Sequence, residues 1–218
     1  MLQFLDKYGY ATFEGKNTSQ FNNLEKGIKN VNWVKDKSGC AAQIPDFLSD
    51  IWEFENQNHT WLEKEKIGLT EGLMQFYFPK DIIEGCENIW SSIFPNVSFV
   101  SAATLLWNGI HNVTQSWHWD GYDRDMYGDY FFMCYFNNYP YDSTCGGELE
   151  IAYTNNIINQ YDVEYDTDIN LKTIRKIFPK HGKIIIIKTE FPFLVHRALP
   201  ITNGNFNRYT LLNGIILK

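Results

Sequence analysis

The sequence predicts an α+β chain in which helices come first and a β-sandwich or barrel follows. Two observations carry this. Apolar residues recur at helical spacing in three stretches before residue 97, and the texture changes at Ser98 to short strands separated by turn chemistry.

The elements follow in order. Tyr8 to Phe13 alternates as a short edge strand, and Phe21, Leu24 and Ile28 form a helical stripe behind Ser19 as its cap. Pro45 precedes a second stripe, Phe47, Leu48, Ile51, Trp52 and Phe54, read as a helix packed on a sheet. Leu73 to Phe78 is rich in strand formers. Asp81 to Phe94, between Pro79 and Pro95, places Ile82, Ile83, Cys86, Ile89, Trp90 and Ile93 on one helical face. Strands are then expected at Ser98–Trp107, Thr114–Asp120, Tyr130–Asn137, Glu148–Tyr153, Lys183–Thr189, Phe193–Arg197 and Arg208–Leu217. A polar, acidic segment from Asn155 to Asp168 and a short helix from Ile169 to Phe178 lie between the fourth and fifth.

The totals narrow the function classes. At 218 residues, with no internal repeat and no low-complexity linker, one domain is expected. A net charge of -7 disfavours nucleic acid as a partner, because phosphate backbones demand a basic surface. The four cysteines (Cys40, Cys86, Cys134, Cys145) show no CxxC spacing, and the N-terminus lacks the layout of a signal peptide, so the expectation is a reducing, cytoplasmic setting. The longest apolar run, Ile184 to Ile187, is far too short to cross a bilayer, and no membrane association is expected.

Chemistry concentrates at Gln115 to Asp120. If these residues are extended, His118 and Asp120 share one face and Trp117 and Trp119 the other. Alone, such a pair is a motif that arises by chance in a chain with five histidines. A third imidazole from His196 completes a set of two His and one carboxylate, which leaves open positions on Fe(II). A core histidine beside Pro200 is the alternative for His196. His59, His111 and His181 stand in polar contexts and are expected to face solvent, and no phosphate loop, nucleophile elbow or zinc spacing appears.

Order strengthens the motif. After His118-x-Asp120 come a strand ending in Tyr135-Phe-Asn137, then Gly146-Gly-Glu-Leu149, then a Gly-Lys-apolar strand from Gly182. His196-Arg-Ala-Leu-Pro200 and Arg208-Tyr-Thr210 close the series. This ordered set, over about residues 98 to 217, resembles the Fe(II)- and 2-oxoglutarate-dependent oxygenases, in their prolyl-hydroxylase-like branch. The resemblance implies a double-stranded β-helix (a jelly roll, cupin-like) as residues 98–218, with residues 1–97 as supporting helices. It implies His118, Asp120 and His196 as metal ligands and the catalytic centre. It also implies Arg208 and Thr210 on the distal carboxylate of 2-oxoglutarate, where a guanidinium fork pairs bidentately. Tyr135 matches a position where relatives place a phenol on that carboxylate; a core tyrosine is the alternative. The interval from His196 to Arg208 is longer than the family's, and Arg197 competes for the role, although alternation turns it away from His196.

The implied activity is that of a dioxygenase: hydroxylation of a peptide, protein side chain or amino acid with conversion of 2-oxoglutarate and O2 to succinate and CO2, ascorbate being a supporting reductant. Asp120 in place of a small residue argues against a halogenase. A non-oxidative cupin-like protein (an isomerase, or a sugar-binding or structural jelly roll) is the alternative, and it has no need of Arg208 and Thr210. Gly121 to Asp129 is expected to overhang the mouth, with Trp119, Tyr122 and Tyr127 as apolar contacts and Asp123, Asp125 and Asp129 as a negative rim favouring a neutral or cationic substrate. A solvated acidic turn is the other reading of that segment.

Overall fold

The structure is a computed structural model of the chain and describes residues 1–16, 18–29, 33–34, 41–42, 80–108, 117–122, 127–137, 140–154, 164–165, 171–191, 194–203, 206 and 208–218. Three helices are among them: α1 (Leu2–Tyr8), α2 (Ser19–Lys29) and α3 (Lys80–Ile93). The strands are β1 (Tyr10–Glu14), β2 (Trp33–Val34), β3 (Ala41–Ala42), β4 (Phe99–Asn108), β5 (Trp117–His118), β6 (Tyr130–Asn137), β7 (Leu149–Tyr153), β8 (Glu164–Tyr165), β9 (Lys172–Ile177), β10 (Lys183–Lys188), β11 (Leu194–Ala198) and β12 (Arg208–Leu217).

Among the described residues two five-stranded sheets form the β part, besides the two-stranded pair β2-β3. One has the order β1-β10-β6-β12-β4 and the other β8-β5-β11-β7-β9. Every pairing within them is antiparallel. Strands adjacent in sequence mostly change sheet, so the chain winds as the jelly roll that the sequence led us to expect, with the helices at its N-terminal side.

Side-chain alternation explains the layering. On β6, Phe131, Met133 and Tyr135 face the space between the sheets, where they meet Leu149, Ile151, Ile177, Ile185, Ile187, Leu194 and Leu212. The intervening Tyr130, Phe132, Cys134 and Phe136 face the other way, onto Phe21, Leu24, Ile82, Cys86, Ile89 and Trp90 of α2 and α3. A strand buried on both faces cannot show polar alternation, which is why Tyr130 to Asn137 reads as a continuous apolar run. The helical layer is pinned to the sheet by a polar contact: the Trp90 indole N–H donates to Asn213 Oδ1 at 2.7 Å in the core. The α2–α3 approach is close, since a Cβ at Gly85 would lie 2.5 Å from Leu24 Cδ2.

Several elements differ from expectation. Residues 169–178 do not form a helix: Lys172–Ile177 is β9, paired to β7. The helical spacing of Ile174 and Ile177 is outweighed by the open edge of β7, whose unpaired backbone groups take a partner, and Ile177 reaches the inter-sheet core. Helix α1 was not anticipated; it ends at Gly9, whose φ of 75° and N–H donated to Leu5 O at 2.7 Å close the last turn and start β1 two residues later than Tyr8. Thr18 rather than Ser19 caps α2, accepting from Phe21 N at 3.2 Å. The expected elements at Pro45 to Phe54 and Leu73 to Phe78 lie outside the described residues.

Candidate metal centre

Strands β5 and β11 run side by side with His118 and His196 as direct partners, so both imidazoles leave the sheet on the same face. Their ring centroids are 4.3 Å apart. His196 shares its face with Leu194, which packs in the inter-sheet core, so the pair points into the jelly roll.

Asp120 arrives differently from expectation. Strand β5 ends at His118, and Asp120 opens a 3₁₀ turn, Asp120–Tyr122, so strand alternation does not aim it. Residues 114–116, counted in the expected strand, lie outside the described residues. The turn nevertheless brings Asp120 Oδ2 to 3.2 Å from His196 Nε2 and Oδ1 to 4.0 Å from His118 Nε2. One donor atom from each of the three lies within 4.8 Å of the others. Ligands bound at roughly 2 Å and right angles to a first-row ion stand about 3 Å apart, so small side-chain adjustments suffice to close this set on a metal.

Burial pushes the Asp120 carboxyl up, but His196, His118 and a hydrogen bond from the Tyr127 hydroxyl outweigh it, and the carboxyl is held below its ordinary range. It is therefore an anion at neutral pH, the form that ligates. Its loop is fastened at both ends to one residue: the Trp119 indole N–H donates to Thr189 O at 2.9 Å, and Thr189 N donates to Asp129 O at 3.0 Å. The turn needs Gly121, where a Cβ would lie 2.0 Å from the Trp119 ring.

Arg208 opens β12 and is buried. Its Nη1 donates to Gly147 O at 2.8 Å. The turn that carries Gly147 is stitched to the chain beyond β11 by Gly147 N to Pro200 O and Thr202 N to Cys145 O. Thr210 and Tyr135 are direct partners on β12 and β6, both buried, on the face that carries Leu212 and Met133 into the inter-sheet core. The Thr210 hydroxyl is fully buried and has no hydrogen-bond partner among the described residues. The structure thus brings His118, Asp120, His196, Arg208, Thr210 and Tyr135 to the inside of one jelly roll.

Arg197 is elsewhere. Its Nε and Nη2 donate to Glu150 Oε2 at 2.8 and 2.7 Å, and the guanidinium lies 4.4 Å over the Trp117 ring, on the outer face of the sheet.

Expectations at the mouth and at His181 are corrected. Asp129 is a structural acceptor, since its Oδ2 takes the N–H of Leu217 at 2.8 Å, and so does not form a rim. Trp119 is tied to Thr189 and stacked over Gly121, and the Tyr127 ring packs against the inter-sheet core beside Phe131. His181 is not a free surface residue: it accepts from Asn137 N at 3.2 Å and stands 3.4 Å from Glu25 Oε1. Asp123, Asp125, His59 and His111 lie outside the described residues, as does the side chain of Tyr122. Sequence reasoning missed Gly147 and Thr189, which act through backbone atoms, and it misread Tyr127. For Gly147 the Gly-Gly pair was a signal; for the other two the sequence carries none.

Among the described residues no helix is long and apolar enough to cross a membrane. No protein-family model matches the chain, and no curated protein matches it in sequence. Solved structures match it in fold. A prolyl hydroxylase from Trichoplax adhaerens, in complex with a hypoxia inducible factor oxygen degradation domain peptide fragment, is similar with a TM-score of 0.58 at 11% identity, over 99% of this chain and 86% of that one. The viral collagen prolyl hydroxylase of Paramecium Bursaria Chlorella virus-1, in its 2OG complex, is similar with a TM-score of 0.53 at 12% identity, over 97% of each chain. HygX from Streptomyces hygroscopicus, with nickel, 2-oxoglutarate and hygromycin B bound, is similar with a TM-score of 0.50 at 10% identity, over 98% of this chain and 85% of that one. The fold is therefore shared with these prolyl hydroxylases and with HygX.

Proposed function

We propose that the chain is an Fe(II)- and 2-oxoglutarate-dependent dioxygenase that hydroxylates a peptide, a protein side chain or an amino acid, releasing succinate and CO2. The observation that carries this reading is the shared interior of the jelly roll: two imidazoles and an ionised carboxylate at one place, and on the facing sheet a buried guanidinium with a threonine hydroxyl that has no partner among the described residues.

The residues fit the group. Ligating as neutral imidazoles, His118 and His196 would form with the Asp120 carboxylate the mixed nitrogen and oxygen set suited to Fe(II), and three ligands leave positions for a chelating cosubstrate. Iron with 2-oxoglutarate and O2 would supply the oxidising chemistry, with ascorbate keeping the metal reduced. Arg208 would bind the distal carboxylate of 2-oxoglutarate, with Gly147 O bracing its Nη1 and the Thr210 hydroxyl free to donate to the same anion. Tyr135, beside Thr210, is placed to add its phenol. The apolar wall of Phe131, Met133, Ile185 and Leu212 keeps water from the space between. A non-oxidative cupin has no use for a buried cation and an orphaned hydroxyl facing a metal set.

The substrate class is supported by the company the fold keeps: one similar structure holds a peptide fragment and another a small molecule. We read residues 1–218 as one domain, the N-terminal helices backing the jelly roll. The free thiols of Cys86, Cys134 and Cys145 favour the cytoplasm.

The test is conversion of 2-oxoglutarate to succinate by the purified chain with Fe(II), ascorbate and O2, preceded by an anaerobic titration. The expected results are a visible metal-to-ligand absorption band on adding 2-oxoglutarate, slow uncoupled succinate formation, and loss of both in Arg208→Ala. Absence of the band in the wild-type protein, with Asp120→Ala behaving identically, sinks the assignment.

A further inference from the structure

We propose that His181 is a positioning residue for the cosubstrate cation: its neutral imidazole holds the end of β6 against which Arg208 and Thr210 are set, and its protonation releases that end. This rests on the cosubstrate reading above and adds to it a residue on the helical side of the sheet, outside the site itself.

The turn between β9 and β10, residues 178–182, grips β6 at two places. Gly182 N donates to Tyr135 O at 2.8 Å. The backbone N–H of Asn137 donates to His181 Nδ1 at 3.2 Å, and its side-chain amide donates to Pro179 O. Tyr135 and Asn137 are the residues of β6 that stand opposite Thr210 and Arg208 on β12. The turn therefore backs, across one strand, the two side chains read as the carboxylate-binding pair. The register of β10 with β6 runs only as far as Ile184 and Cys134, and beyond it the imidazole supplies the acceptor that the Asn137 N–H requires.

A backbone N–H only donates, so Nδ1 carries the lone pair and the neutral ring has its proton on Nε2. Nε2 stands 3.4 Å from Glu25 Oε1 on α2. Edge-on contacts fix the ring between them: Phe21 lies at 5.2 Å and 89°, Phe136 at 6.2 Å and 86°. A proton added at Nδ1 acts oppositely at the two ends of the ring. It sets an N–H against the N–H of Asn137, and it draws the imidazolium to the Glu25 carboxylate. The ring then follows Glu25, and Asn137 loses its acceptor.

The imidazole is 26% exposed, so protons reach it from solvent. The charged groups on the surrounding elements are Glu25 and the exposed Lys26 of α2, Lys16 against Gly182, the exposed Lys180 in the turn, and Lys183 paired to Glu14. Strand β6 carries none. An imidazole changes charge between about pH 5 and 8 without strong perturbation, so both states are within reach of the cell.

The test is anaerobic titration of the full, Fe(II)-saturated chain with 2-oxoglutarate, followed by the metal-to-ligand band, between about pH 8 and about pH 6. In His181→Asn an amide oxygen stands near the place of Nδ1 and accepts without titrating. This variant is expected to bind as wild type does at the upper end, and wild type to lose about fivefold more affinity than the variant by the lower end, the effect of one hydrogen bond. Protonation at His118 and His196 is common to both chains and cancels in the comparison. Glu25→Gln is expected to move the midpoint of the wild-type loss to lower pH, because the imidazolium loses the anion beside it. Hydrogen exchange at the Asn137 amide of the metal-free wild type gives a second measure that needs neither metal nor cosubstrate: its protection should fall at the lower pH. Equal pH dependence in wild type and His181→Asn, or unchanged protection of Asn137, overturns the proposal and leaves the cosubstrate reading standing. Absence of 2-oxoglutarate binding by wild type at the upper pH, with Asn137 protection still falling at the lower, removes the cosubstrate reading and the positioning role with it.

Discussion

The guanidinium of Arg208 rests on the carbonyl of Gly147, Nη1 to O at 2.8 Å, in a turn where Gly147 holds a φ of 77°. A side chain at 147 would be strained by that backbone angle and would bring its Cβ to 3.1 Å from Ile201 Cγ1 and 3.5 Å from Arg208 Cδ. The turn and the cation are therefore one unit, although 61 residues separate them.

Gly147→Val is expected to weaken 2-oxoglutarate binding by roughly tenfold, since a loss of about 1.4 kcal/mol follows from a modest misplacement of a bidentate cation. Co(II) affinity should stay within about twofold of wild type, because the ligands stand on other elements. Paired titrations of metal and then cosubstrate separate these; an equal drop in both would mean that the turn supports the fold instead.

Arg197→Ala provides the converse. Its guanidinium is engaged with Glu150 and Trp117 on the outer face and is partly exposed, so its removal should cost about 1 kcal/mol of stability, the exposed ion pair contributing little and the ring contact the rest. That corresponds to a fall in Tm of about 2–4 °C for a chain of this size. The apparent KM for 2-oxoglutarate should not move. A large rise in KM with no change in Tm would return the cosubstrate role to Arg197.

Trp90→Phe tests the joint between the helices and the sheet. The indole N–H donates to Asn213 Oδ1 inside the core, and removing it deprives a buried amide of that donor at a cost of about 1–3 kcal/mol, to which the lost ring volume adds. Chemical denaturation should show a lower midpoint. Metal and cosubstrate affinities measured well below that midpoint should be unaltered, since Trp90 faces away from the inter-sheet space.

Much of the architecture was legible in the sequence because it depends on local periods. The apolar stripes of residues 21–28 and 82–93, and the runs at 130–137, 183–188 and 208–217, fall on the helices and strands they suggested. Where the same local evidence failed, a distant partner decided. Residues 172–177 carry a pattern that suits either helix or strand, and the free edge of β7 selects the strand. Tyr8 to Phe13 looks like one extended segment until Gly9 closes α1 and starts β1.

For the site, the order of His118, Asp120, His196, Arg208 and Thr210 along the chain singled these residues out as a set, and the structure brings them to the inside of one jelly roll. Alternation also placed Arg197 on the face away from His196 without any structure. What only the tertiary structure decided is how the carboxylate is aimed. Asp120 sits past the end of its strand, so its position comes from a 3₁₀ turn and from Trp119 and Asp129 meeting on the backbone of Thr189. Those partners act through backbone atoms or across the barrel, and neither leaves a period in the sequence from which to read them.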